Sequence, residues 1–153
     1  MPNLLNKDKN KLFETNPVKI TSLSGITNFS GLPCEFSLAC SDETTALTTG
    51  TAKMTFRIPY AMTVTSVRAS VTTAPTGASL LTIDINEGAG AGTTILSTKL
   101  TIDASEFTST TAATQPVISD STLADDAQIT IDIDQIGSTI AGAGLKIYII
   151  GTR

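Results

Sequence analysis

Histidine and tryptophan are absent from this chain of 153 residues. Without an imidazole there is no Ser–His–Asp or Cys–His catalysis, no His-ligated metal and no ring nitrogen to move protons near neutrality. Tyrosine occurs only at Tyr60 and Tyr148, and aromatic residues make up 5% of the chain. Flat platforms for stacking bases or sugars are therefore scarce. Charged residues contribute 16%, against ~25% in an average soluble domain. No apolar run approaches the ~20 residues of a membrane-spanning helix. The polar, Lys-dotted Met1–Lys11 lacks the apolar stretch of a secretory signal.

Cysteine is limited to Cys34 and Cys40. On one extended strand they lie about 20 Å apart at ~3.3 Å per residue, beyond disulfide reach. The intervening Glu35–Ala39 reads as strand, not turn, so two free thiols are expected. Cys-x5-Cys with no further Cys or His is not a zinc pattern.

What is abundant is the small hydroxyl: 27 Thr and 14 Ser account for 41 of the 153 residues. Threonine is β-branched and suits the solvated face of a pleated sheet. The length fits one domain with an appended arm. A net charge of −4 argues against nucleic acid as the main partner.

The chain divides near Pro33. Residues 1–32 carry Lys7, Lys9, Lys11 and Lys19 against Asp8 and Glu14, a local charge of +2. They show no clean period and read as an irregular N-terminal arm. Apolar residues along it (Leu4, Leu5, Leu12, Phe13, Val18 and Ile20) are too many for a solvated tail. They are the candidate partner-binding residues, with packing of the arm on its own domain as the plainer alternative. From 33 to 153 the alternation is strong. Phe36/Leu38/Cys40, Met54/Phe56/Ile58, Val67/Ala69/Val71, Leu81/Ile83/Ile85, Leu96/Thr98/Leu100/Ile102, Ile129/Ile131/Ile133 and Leu145/Ile147/Ile149 each recur at period two. A phase slip near Thr65–Ser66 suggests a bulge after Val64. Glycine-rich turns at 87–92 and 137–144 separate strands. The expected fold is all-β: an antiparallel, jelly-roll-like sandwich with apolar residues inside and Thr and Asp outside.

Candidate reactive sites are few. Asp84-x-Asn86-x-Gly88 resembles the opening of a calcium loop but lacks the closing Glu, and reads better as a strand end. Asp120, Asp125 and Asp126 precede Ile129 and would bind a hard cation only if folded together. Asp132 and Asp134 lie on one face of one strand, a spacing that superficially suits paired carboxylates, but an exposed strand face explains them. Gly88–Gly92 lacks the Lys-Ser/Thr of a phosphate loop. Asn28-Phe29-Ser30 is a formal glycosylation sequon. Arg57 and Arg68 point outward and are available to partner carboxylates. No catalytic residue, metal or cofactor is expected.

The combination of Ser41–Gly50, Met54-Thr55-Phe56-Arg57-Ile58-Pro59-Tyr60-Ala61, Leu81–Gly88, Ile95–Asp103, Leu123–Asp134 and Gly144-Leu145-Lys146-Ile147 resembles a β-sandwich module of tailed-bacteriophage virion proteins, over about residues 40–153. The resemblance implies a viral structural protein and no catalytic residues. Similar modules are attached both to capsid-decorating (cement) proteins and to tail-fibre, spike or receptor-binding proteins. One domain with an apolar-studded arm, no coiled-coil heptads and few aromatics favours capsid decoration. The expected partners are the major capsid protein and the chain itself, as a homotrimer, with no nucleic acid and no membrane. The expected location is the outer capsid surface of the virion.

Overall fold

A computed structural model describes residues 31–90 and 92–153; the apolar arm positions Leu4 to Ile20 lie outside them. The elements are β1 (Pro33–Ala39), β2 (Gly50–Arg57), β3 (Met62–Ser70), β4 (Leu81–Glu87), β5 (Thr93–Thr94), β6 (Leu96–Thr98), β7 (Leu100–Ile102), a 3-10 turn (Ser109–Thr111), β8 (Val117–Ile118), β9 (Thr122–Leu123), β10 (Gln128–Gln135) and β11 (Lys146–Thr152). Among the described residues that 3-10 turn is the one helical segment.

Two antiparallel sheets form the sandwich, and β6 and β8 make a separate two-stranded sheet. The first has the order β1-β11-β3-β9; the second runs β2-β10-β4, with β5 and β7 sharing the far side of β4. Strands adjacent in sequence therefore alternate between sheets: β1 and β3 in one, β2 and β4 in the other, with β11 and β10 returning between them. This interleaving is the strand order of a jelly roll. The fold is an all-β antiparallel sandwich.

Period-two patterning produces the core. Ile83 and Ile85 of β4, and Ile129, Ile131 and Ile133 of β10, face Val67 and Ala69 of β3 and Ile147 and Ile149 of β11; all are buried. Branched residues with few rotamers fill this layer, as the pleat favours. The β1 and β2 edges are less enclosed. Cys34, Phe36, Met54 and Phe56 pack on the core but remain half-buried. Phe36 stacks obliquely on Tyr60, with ring centroids 5.6 Å apart, and the Arg153 guanidinium lies 4.9 Å from the Tyr60 centroid.

The phase slip in β3 is a bulge. Ser66 pairs with Ile150 and Val64 with Gly151, leaving Thr65 as the extra residue. The span Leu96–Ile102 differs from expectation. It does not form one strand but breaks at Lys99: β6 pairs with β8, and β7 pairs with β4. The break frees Lys99 to turn its ammonium toward carboxylates of the second sheet.

Candidate functional site

The outer face of β4 and β10 is the largest departure from the sequence pattern. Asp84, Asn86, Thr130 and Asp132 alternate with core isoleucines and were expected in solvent, yet all four are buried. The register pairs Asp132 with Asp84 and Thr130 with Asn86. Directly opposed residues of an antiparallel pair share a face, so the four side chains form one polar square. Two segments fold over it. The Thr94 hydroxyl and the Ile85 N–H donate to Asp84 Oδ1, while Lys99 Nζ lies 3.0 Å from Asp84 Oδ2 and 2.6 Å from Asp134 Oδ2. On the other side the Ala52 N–H donates to Asp132 Oδ1 at 2.6 Å. That bond sits inside a bulge of β2, where Gly50 and Met54 pair with Ile133 and Ile131 and Ala52 takes φ +48°.

Each carboxylate is thus engaged by the protein itself. Burial without such partners would cost several kcal/mol. The Lys99 ammonium is held protonated above the ordinary lysine range by its hydrogen bonds to Asp134 and then Asp84, so it acts as a fixed counter-ion and not as a nucleophile. Asn86 Nδ2 and the Thr130 hydroxyl have no partner among the described residues. Asp132 and Asp134 do not form an exposed pair: Asp132 fills the β2 bulge, whereas Asp134 lies at an irregularity of the β10–β4 register and meets Lys99.

The other acidic candidates are dispersed. Asp120 accepts the Thr122 N–H at 3.1 Å. Asp126 adopts φ +60° and accepts from Arg57 Nη1 at 3.2 Å, so Arg57 is taken by an intrachain pair at the surface, an arrangement of small energetic value. Among the described residues no group of three or more His, Cys, Asp or Glu is placed to hold a metal ion. Cys34 and Cys40 are both free. Burial pushes the Cys40 thiol up to about 12, and its sulfur contacts Met54 Sδ at 3.3 Å.

The concave features lie on the first sheet. A groove of about 580 Å³ runs between Thr65–Arg68 of β3 and Gln115–Ile118, with Ser109 and Thr110 in its wall. A second, of about 430 Å³, is lined by Glu35, Arg68, Ser70 and Tyr148. The Tyr148 hydroxyl lies 3.1 Å from Ser70 Oγ. Arg68 stands between the two grooves and makes no ion pair among the described residues.

Comparison of the chain with family models, curated proteins and solved structures returned no match. Functional reasoning therefore rests on these surfaces. The period-two pattern could not find them, because each groove combines β3 with the long connection between β7 and β9, and the second also takes in β1 and β11. Of their lining, Arg68 stood out beforehand, with Arg57, as an outward residue available to partner carboxylates.

Proposed function

We propose that the chain is a bacteriophage virion structural protein that decorates the capsid: a cement protein seated on the outer shell that ties neighbouring capsid subunits together. The observation that carries this reading is the jelly-roll order of the two sheets, an architecture used by viral coat modules among others, whose buried carboxylates are all committed to internal partners. Fold alone is an analogy; the motif resemblance of residues 40–153 and the apolar arm add to it.

The mechanism is mechanical. A ligand that binds the assembled lattice and not the free subunit stabilises the lattice by mass action. A trimer multiplies modest contacts by avidity. Copy number in purified particles tests the reading. A decorating protein is present in hundreds of copies per particle; tens or fewer would overturn it.

A tail-fibre or receptor-binding role has one observation in its favour, the paired grooves that flank Arg68. Binding of the purified chain to host-surface polysaccharide, lost in Arg68→Ala, would support that role.

A further inference from the structure

Asp84, Asn86, Thr130 and Asp132 are 4%, 5%, 1% and 7% exposed, and the protein meets only part of their bonding capacity. Asn86 Nδ2 and Thr130 Oγ1 have no hydrogen-bond partner among the described residues. Polar atoms at such depth are costly to leave unmet. Charge is unbalanced as well. Asp84 and Asp132 stand directly opposite each other, a position in which like charges repel. One ammonium, that of Lys99, serves both Asp84 and Asp134. Among the described residues Asp132 takes part in no ion pair; its Oδ1 accepts the neutral Ala52 N–H. A buried carboxylate that lacks a cation is strongly unfavourable.

The sequence puts these groups on one face through a reciprocal pattern: Asp84-x-Asn86 on β4 runs antiparallel to Thr130-x-Asp132 on β10. Opposed and alternate positions mark a rectangle of roughly 5 by 7 Å, a span that one ion with oxygens at ~2.4 Å bridges. The Asn86 amide, rotated end for end, presents Oδ1 in the place of the unmet Nδ2. The square then offers three oxygens: one each from Asp132, Thr130 and Asn86. Backbone roofs it on two sides. Ala52 lies over Asp132, and a side chain on Gly92 would come within 3.0 Å of Asn86 Cβ. Thr55, the β2 neighbour of Thr130, is exposed and marks the side open to water.

We propose that this polar square binds a calcium ion. Asp132 supplies a charged ligand, and Thr130 and Asn86 supply neutral oxygens. Asp84, whose carboxylate is held by Lys99, Thr94 and the Ile85 N–H, adds its field from the opposite corner. Water entering past Thr55 completes the shell. Carboxylate, amide and hydroxyl oxygens select hard cations. Calcium accepts such an irregular set, whereas magnesium demands a near-ideal octahedron and gives up its waters reluctantly. The ion meets both deficits at once: it balances Asp132 and gives Thr130 and Asn86 a partner. Bound there, it ties β4 to β10, and through the Asp132 bond to Ala52 it ties both to the β2 bulge. Calcium binding neither needs nor implies attachment to a capsid, and each can fail without the other.

Thermal melting of the full chain, first stripped of divalent ions with a chelator, tests it. Adding ~5 mM calcium chloride should raise the midpoint by ~3 °C or more, and the same concentration of magnesium chloride should raise it by less than half as much. Equilibrium dialysis against radioactive calcium should find one ion retained per chain. Thr130→Val removes the unmet hydroxyl and Asp132→Asn removes the charge while keeping an acceptor for the Ala52 N–H; both should lose the calcium response. Without calcium, Thr130→Val should melt no lower than the parent chain, because a methyl replaces a hydroxyl that had no partner. Loss of the response in that variant is then loss of a ligand and not of the fold, and it decides the matter if Asp132→Asn does not fold. A parent chain indifferent to calcium, as when water alone fills the square, overturns the proposal. An undiminished response in Thr130→Val, or an equal response to magnesium, overturns it too.

Discussion

Lys99 holds its ammonium 3.0 Å from the buried carboxylate of Asp84 while remaining 44% exposed itself. The pair therefore joins a solvated cation to a nearly dry anion. Among the described residues, removing the cation leaves Asp84 with the Thr94 hydroxyl and the Ile85 N–H alone. Lys99→Met should cost about 1–2 kcal/mol in urea unfolding, below the 3–5 of a fully buried pair because Lys99 is solvent-screened. Adding Asp84→Asn should recover much of the loss; a double variant weaker than the sum of the singles would contradict the pairing. The Lys99 pKa is raised in the fold, so its contribution is complete below the unfolded value of 10.5 and disappears as pH climbs through the higher folded value.

Asp42 organises the turn after β1. Its Oδ1 accepts the N–H of Thr45 at 2.6 Å and of Thr44 at 2.9 Å. These bonds, led by Thr45, lower its pKa from 3.8 to about 2. The stabilisation is present above the unfolded value and is lost as pH falls through the folded one. A carboxyl-carbon NMR titration should show a midpoint near 2; an ordinary aspartate midpoint would mean that the turn is not closed this way.

At the β3 bulge, a side chain on Gly151 would run into the Thr63 carbonyl and reach within 2.8 Å of Met62 Cε. The carbonyl belongs to the sheet backbone and has little room to move. Gly151→Ala should lower stability by about 2 kcal/mol, the range of overpacking. An unchanged denaturation midpoint would show that the bulge is looser than described.

The Cys40 thiol, raised to about 12 by burial, should resist iodoacetamide at mildly alkaline pH until the protein unfolds. Peptide mass spectrometry after a short pulse checks this. Rapid labelling in the native state would mean that the half-buried β1–β2 seam opens readily.

The architecture was legible because Ile and Leu recur at period two, as in Ile129/Ile131/Ile133, and a half-buried sheet requires that period. Even the Thr65 bulge left a mark, as a phase slip. Burial of the polar face was not legible. Thr130 and Asp132 show the same alternation whether that face meets water or a covering segment. What covers it is Thr94 and Lys99 on one side and the Ala52 bulge of β2 on the other, and the break in Leu96–Ile102 that places Lys99 is not encoded by local pattern.

Attachment through the N-terminal segment is the most specific claim within the decoration reading. Capsids stripped of this protein, incubated either with the full chain or with residues 33–153, give the most direct test by counting bound copies with quantitative mass spectrometry. The expected result is saturation by the full chain and near-bare shells with the shortened one, although the latter keeps its β spectrum. Equal occupancy by both would contradict it.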